Sequence, residues 1–183
     1  MRLTELTGYK KDPIYNILQN STNAEELQDN LEANGFKKYV IGTGLYSSVL
    51  SRPNLDYVVK IFSNDPGYEK YLSYIIKYQN NPHVPKMRGK IISVNPRFKV
   101  VRLEKLRPYI MGVTKDDRYY DAIRKYIYTN KSNLNVIEKN IPLIIPVLND
   151  IIQNSGYDLH DGNIMFRDDV PVIIDPLSKA GTR

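Results

Sequence analysis

Hydrophobic and polar positions change their spacing along this chain, and each change predicts a different element. After a polar, irregular stretch over residues 1–21, Leu27 and Leu31 lie about one helical turn apart. Asn23 fits a helix cap and Gly35 a helix stop, so this segment predicts a helix from about Asn23 to Ala33. Three runs of β-branched and aromatic residues then predict strands over residues 36–41, 46–51 and 57–62.

The rest of the chain alternates between helical and strand patterns. Asp65-Pro66 opens a helix expected to continue to about Gln79, because proline favours the first helical turn. Further strands are predicted near 89–94 and 98–103, helices over about 115–128 and 143–154, and a hairpin with strands near 164–166 and 172–174.

This order of elements predicts an α+β fold with two lobes. The first, over residues 1–103, is an antiparallel five-stranded sheet with one main helix and an N-terminal capping helix. The second, over residues 104–183, is small, mostly helical and ends in a short β-hairpin. The segment Glu104-Lys105-Leu106 would form the hinge at their junction.

Composition and charge limit the compartment and the partners. The 183-residue chain has no cysteine, which excludes disulfide frameworks, zinc fingers, iron–sulfur ligation and thiol chemistry. No apolar run is long enough to span a membrane, and no secretory signal is visible, so we expect a cytoplasmic protein with no membrane partner. The net charge of +6, from 26 basic and 20 acidic residues, is spread along the chain, so nucleic acid is not an expected partner.

The densest chemical signal lies in the Asp-Leu-His-Asp-Gly-Asn segment that begins at Asp158 and ends at Asn163. Asp175 follows an apolar strand shortly afterwards. Carboxylate and amide oxygens are the ligands that Mg²⁺ prefers, so Asn163 and Asp175 are candidate metal ligands. Asp158 lies five residues before Asn163 and could face a substrate hydroxyl. The alternative is a polar turn followed by an aspartate at a strand end.

A second candidate set lies around the first predicted strands. Gly42 and Gly44 would let backbone amides approach a phosphate closely. Lys60 follows three strand residues, where its ammonium group needs a phosphate or a carboxylate, and Glu69 is the candidate acid that orients it. The alternatives are a strand-edge lysine with its head in water and a glutamate on a solvated helix face.

Together these residues resemble the protein-kinase signature set. The glycine-loop pattern G-x-G-x-x-G-x-V matches at Gly42, Gly44 and Val49, with Ser47 in the third glycine position. Residues 57–60 occupy the place of the V-A-I-K strand, residues 158–163 have the catalytic-loop spacing, and residue 175 takes the place of the metal-binding aspartate. The Gly-Asn-Ile-Met-Phe and Val-Pro…Asp-Pro stretches are most similar to the early serine/threonine protein kinases of short-tailed lytic bacteriophages.

The resemblance implies ATP and Mg²⁺ as cofactors. It assigns catalytic roles to Asp158, Lys60 and His160, and metal binding to Asn163 and Asp175. His160 would either contact the transferred phosphoryl group or orient Asp158. The implied nucleotide-binding residues are Gly42, Gly44, Ser47, Val49, Val58, Lys60, Glu69 and Glu104, the last through its backbone in the hinge.

The chain departs from the family pattern in its catalytic loop and after Asp175. Gly156 and Tyr157 replace a histidine and an arginine, and Pro176-Leu177 replaces Phe-Gly. Without that arginine, a phosphorylated activation loop has no usual cation to dock on, so switching of this kind is not expected. The eight residues after Asp175 leave no room for an activation segment. The implied function is a minimal serine/threonine kinase that acts on host proteins, and on itself, in the host bacterial cytoplasm. Two alternatives stay open: a kinase-fold protein that binds and inhibits or redirects a host enzyme, and a small-molecule kinase of the antibiotic-phosphotransferase kind.

Overall fold

Helices and strands follow each other in the computed structural model in nearly the predicted order. The structure describes residues 14–44, 47–63, 65–129, 137, 141–153 and 156–177. Within them the helices are α1 (Ile14–Gln19), α2 (Ala24–Ala33), α3 (Pro66–Lys77), α4 (Thr114–Tyr128) and α5 (Ile145–Ile152). The strands are β1 (Lys37–Gly44), β2 (Ser47–Ser51), β3 (Tyr57–Ser63), β4 (Ile92–Ser93), β5 (Phe98–Glu104), β6 (Arg107–Pro108), β7 (Ile164–Arg167) and β8 (Val170–Ile173).

Internal contacts divide the described residues into two compact units. The first unit holds the residues up to 63 together with 88–102, and the second holds 65–87 together with 103–177. The sequence assigned helix α3 to the sheet lobe, but its contacts place it in the second unit. The functional division of the chain at 103/104 stays a prediction.

The first unit is built on the predicted five-stranded antiparallel sheet. Its described strands run in the order β1-β2-β3-β5-β4, which confirms the α+β class. Alternate residues of β2 and β3 point to one face, where Leu50, Val59 and Ile61 join the apolar side chains of α1 and α2 in a buried core. Helix α2 lies against this core through Leu27 and Leu31, as their spacing predicted.

Helix caps were predictable from the sequence. The Asn23 side chain accepts a hydrogen bond of 2.9 Å from the Glu26 amide at the start of α2. The Asp65 carboxylate accepts one of 2.9 Å from the Tyr68 amide at the start of α3, and Pro66 occupies the first turn. Each cap satisfies an amide that the helix itself leaves unpaired.

Residues 1–21 were expected to be irregular, and this was wrong for α1. Its residues Ile14, Ile17 and Leu18 are buried in the core of the first unit. A helix of six residues is too short to be stable alone and depends on tertiary packing, so its periodicity gives little signal.

The second unit contains a small sheet as well as helices. The predicted β7–β8 hairpin turns at Asp168 and Asp169, and β6 pairs with β7 to extend it to three strands among the described residues. This third strand was not predicted, because two residues carry no periodicity. The Arg107 guanidinium in β6 donates to both carboxylate oxygens of Asp116 in α4, at 2.6 and 3.0 Å.

Two further elements differ from their predicted form. The strand expected near 89–94 is reduced to Ile92–Ser93. The helix expected from 143 begins instead as a 3₁₀ turn over Pro142–Ile144 and continues as α5, with Pro146 in its first turn. Among the described helices, we find none with the length and apolar character needed to cross a bilayer.

Candidate active site

One face of the β2–β3 pair carries four of the predicted nucleotide-binding residues. Val49 lies directly opposite Lys60 in the register of the two strands. Ser47 precedes Val49 by two residues, and Val58 precedes Lys60 by two. Cross-strand partners, and residues two apart on one strand, share a face of a sheet. Ser47, Val49, Val58 and Lys60 therefore line one face, opposite the face that packs on α1 and α2.

Lys60 is buried on this face. Its exposed fraction is 7%, which does not fit the alternative of a lysine with its head in water. An ammonium group that is removed from water needs an anionic or hydrogen-bonding partner. Because Lys60 is shielded from water, its contact with a phosphate or a carboxylate would be strong.

The two glycines of the predicted turn between the first two strands lie inside the first of these strands. Gly42 and Gly44 lie within β1, and Gly44 pairs with Ser47 at the start of β2. The register between the strands shifts between Lys38 and Thr43. Leu45 and Tyr46, which lie within the glycine-loop pattern, fall outside the described residues.

In the second unit, the Asp158–Asn163 loop lies beside the segment that follows β8. The Asp158 amide donates to the Pro176 carbonyl at 2.7 Å, and the Ile174 amide donates to the Asn163 carbonyl at 3.0 Å. These two hydrogen bonds hold the residues on both sides of Asp175 against both ends of the loop. The structure thereby brings together the three residues that the sequence predicted to act as base and metal ligands.

The Asn163 side chain is fixed inside the loop. It is 8% exposed, and its Nδ2 donates to the Asp158 carbonyl at 2.8 Å. Because the nitrogen is used in this way, the amide oxygen is the atom with which Asn163 could bind a cation. Asp158 is exposed, as a residue that receives a substrate must be.

The donor set of this region fits Mg²⁺. Asn163 and Asp175 supply hard oxygen atoms, and Mg²⁺ commonly takes only one or two protein ligands and completes its shell with water and phosphate oxygens. Across the described ranges, no group of three or more Asp, Glu or His side chains is placed to hold a metal ion.

His160 caps the 3₁₀ turn over Asp161–Asn163. Its Nδ1 accepts a hydrogen bond of 3.0 Å from the Gly162 amide, and Asp161 Oδ1 lies 3.6 Å from the same nitrogen. This contact favours the reading in which His160 orients the loop.

Helix α3 packs against the segment that leads to Asp175. The Tyr71 hydroxyl donates to the carbonyl of Ile173, the last residue of β8. Burial raises the pKa of Tyr68 and of Tyr71, and the negative charge of Asp175 raises both further. The buried face of α3 is therefore one wall of the region around Asp175.

Glu69 lies in the first turn of α3, and its side chain is exposed. Glu69 and Lys60 belong to different compact units, so their predicted ion pair stays a prediction. The exposed position is also the one expected for the alternative, a glutamate on a solvated helix face.

Glu104 ends β5, and its side chain has a role that the sequence did not suggest. The buried carboxylate pairs with Arg167 and accepts a hydrogen bond of 2.7 Å from the Lys86 amide. The Glu104 amide donates to the Lys86 carbonyl at 2.9 Å. Any adenine contact of this residue would therefore use its carbonyl group.

His83 lies in the loop between α3 and β4. It is 4% exposed, and its Nδ1 lies 2.8 Å from the Pro171 carbonyl, to which it donates. Burial lowers the pKa of His83, the hydrogen bond to Pro171 opposes this, and the nearby Arg167 charge lowers it further. The side chain thus fixes a loop and is not a general base open to substrate.

No family model matches the chain, and no curated protein matches it. Among solved structures, it is similar to residues 1–466 of Rad53 in complex with AMP-PNP, with 17% identity over 84% of this chain and 42% of that chain, at a TM-score of 0.43. It is also similar to the PK-1 kinase of Cydia pomonella granulovirus, with 16% identity over 80% of this chain and 55% of that chain, at a TM-score of 0.43.

Both structural neighbours are protein kinases, and this chain spans about half their length. Their similarity does not test the resemblance to bacteriophage kinases, which stays a prediction. The function proposed below rests on the chain's own residues.

Proposed function

We propose that this protein is an ATP- and Mg²⁺-dependent phosphotransferase with a reduced kinase-like fold. The observation that carries the proposal is the backbone pairing that holds Asp158 and Asn163 beside the Asp175 segment. A candidate base, an amide ligand and a carboxylate ligand then belong to backbone segments that are hydrogen-bonded to each other. Phosphoryl transfer needs this kind of positioning and charge neutralisation more than covalent catalysis.

The phosphates of ATP would be bound from the face of β2 and β3 that carries Lys60. Lys60 would pair with the α- and β-phosphates, the backbone of Gly42, Gly44 and Ser47 would cover them, and Val49 and Val58 would provide apolar contact. Support comes from the shared face of these residues and from the burial of Lys60.

Asp158 would act as the base toward a substrate hydroxyl. The hydroxyl oxygen attacks the γ-phosphorus as the bond from that phosphorus to the β,γ-bridging oxygen breaks, and ADP leaves with the bond's electron pair. The proton of the hydroxyl passes to the Asp158 carboxylate. Mg²⁺, held by Asn163 and Asp175, would neutralise the charge of the phosphate oxygens.

The proposed substrate is a serine or threonine hydroxyl on a host protein, with self-phosphorylation as a second possibility. This finer assignment is supported by the resemblance of the catalytic-loop sequence to bacteriophage serine/threonine kinases. Exposed Asp158 is consistent with a large substrate that approaches from solvent.

The test is transfer of labelled γ-phosphate from ATP, with Mg²⁺, to the protein and to a bacterial lysate. We expect transfer by the wild type and by Asp161→Asn, which changes an exposed carboxylate in the same loop, and its loss in Asp158→Asn. Absence of transfer by the wild type would refute the phosphotransferase. Thermal stabilisation by Mg-ATP without transfer would support the kinase-fold binding protein instead.

A further inference from the structure

We propose that Arg167 is a positioning residue that couples the nucleotide end of the site to its metal end. It ends β7, whose first residue follows Asn163, and it binds Glu104 at the end of β5. This inference rests on the proposed function, in which Asn163 binds the metal, and on the expectation from the sequence that the Glu104 backbone contacts the nucleotide in the hinge.

The Arg167 guanidinium uses all three of its nitrogen atoms. Nε donates to Glu104 Oε2 at 2.9 Å, and one terminal nitrogen donates to Glu104 Oε1. The terminal nitrogens also donate to the carbonyls of Pro82 at 2.7 Å and Val84 at 3.2 Å. A planar guanidinium can make this set of contacts in only one orientation, so it fixes the relative position of all three partners.

The end of β5 is held through both its side chain and its backbone. The Glu104 carboxylate receives the Lys86 amide at 2.7 Å in addition to Arg167, and the Glu104 amide binds the Lys86 carbonyl at 2.9 Å. The exposed fraction of Glu104 is 9%. The position of Glu104 is thus set by the Arg167 side chain and the 82–86 loop together.

The same loop is bound to the strand that leads to Asp175. The Ile173 amide donates to the His83 carbonyl at 3.0 Å, and His83 Nδ1 donates to the Pro171 carbonyl at 2.8 Å. Arg167 therefore contacts Glu104 directly and β8 through the loop that contains His83. A displacement of β5 would be transmitted to the segment that carries Asp175.

A stabilising role alone does not require these charges. An apolar pair of similar volume often replaces a buried ion pair without loss of stability, because two charges no longer have to be removed from water. An apolar pair, however, lacks the fixed geometry of a bidentate contact. If Arg167 has a positioning role, an apolar pair in its place should keep the fold but lose the geometry of the site. If its role is only structural, the geometry of the site should not depend on the charges.

The experiment uses the double variant Glu104→Met/Arg167→Met in the full chain. We expect its thermal midpoint to stay near that of the wild type, its KM for ATP to rise and its kcat to fall, each by roughly tenfold or more. Arg167→Lys keeps the charge but cannot make the bidentate contact with Glu104, so KM and kcat should change in the same directions by smaller amounts. The matched control is Arg107→Met/Asp116→Leu, which removes the other bidentate pair bound to the same three-stranded sheet and should change neither constant.

Calorimetric titration with Mg-ATP separates this inference from the proposed function. If the wild type neither binds Mg-ATP nor transfers phosphate, the proposed function fails. If the wild type is active and Glu104→Met/Arg167→Met has the same KM and kcat, the positioning role is overturned. If the double variant does not fold, Arg167→Lys decides: unchanged constants overturn the proposal, and a coupled change in KM and kcat supports it.

Discussion

The Asp158 amide and the Pro176 carbonyl are joined by a hydrogen bond of 2.7 Å, although 18 positions separate the two residues in sequence. Since Pro176 directly follows Asp175, this bond sets the candidate base beside a candidate metal ligand.

Lys60→Met should abolish most of the activity while the protein stays folded. Methionine keeps the length of the side chain and its apolar contacts on the β2–β3 face but removes the charge expected to bind the phosphates. Loss of such a charge contact should lower kcat/KM by about 100-fold or more. The measurement is phosphate transfer against ATP concentration, with Lys38→Met, an exposed lysine of β1, as control. Equal activity of the two variants would exclude the assigned role of Lys60.

Asn163→Ala should change the dependence of activity on Mg²⁺ concentration more than its dependence on ATP concentration. The change removes the candidate oxygen ligand and also the 2.8 Å bond to the Asp158 carbonyl. Loss of a ligand and of the contact that orients its loop should raise the Mg²⁺ concentration needed for half-maximal activity by roughly tenfold to hundredfold. A Mg²⁺ titration at saturating ATP measures this. An unchanged titration curve would remove Asn163 from the metal site.

His160→Asn and His160→Ala should differ if the ring acts as a cap. Asparagine can accept the Gly162 amide hydrogen bond in place of Nδ1, whereas alanine removes this acceptor and leaves the amide its 2.9 Å bond to Asp161 Oδ1. We expect near-normal kcat for His160→Asn and a roughly tenfold fall for His160→Ala. If both variants lose activity equally, the imidazole itself contacts the transferred group, and the capping role is wrong.

The sequence was sufficient to predict those features that depend on residues close together in the chain. The caps Asn23 and Asp65 each act on an amide three residues away, and the strand that contains Lys60 is rich in β-branched and aromatic residues. The Asp158–Asn163 spacing likewise lies within one loop. Short-range steric and hydrogen-bonding rules decide these features, so they can be derived before any tertiary contact is known.

The sequence was insufficient where distant segments meet. Arg167 and Glu104 are 63 positions apart, and neither lies in a pattern that marks it as a partner of the other. Helix α1 and strand β6 are too short to show a period, and both exist because of what they pack or pair with. These features depend on topology, which one sequence does not determine.

The stability of the protein should fall below about pH 6.5, and His83 should account for part of the fall. Burial lowers the pKa of His83 from 6.5, and the Arg167 charge adds to this. The unfolded chain therefore binds a proton at this residue before the folded chain does, and stability is lost as the pH falls from 6.5 toward the lower folded value. Urea unfolding between about pH 7.5 and pH 5 measures the slope. His83→Gln cannot titrate and should have a smaller slope; equal slopes would show that His83 does not contribute.

Arg107→Met should destabilise the second unit because it leaves Asp116 buried without its partner. Side-chain exposure is 2% for Asp116 but 35% for Arg107, so solvent screens the pair in part, and we expect a loss of about 2–3 kcal/mol in the free energy of unfolding. Hydrogen bonds from Arg107 lower the pKa of Asp116 below 3.8, so the stability that the pair provides is present above that pH and is lost as the pH falls through the folded pKa. Arg107→Met should therefore weaken the acid sensitivity as well as the fold. Adding Asp116→Leu should recover most of the loss in chemical denaturation, since no charge is then buried alone; failure to recover it would mean that Arg107 stabilises the unit mainly through its packing over Phe166, 4.7 Å away.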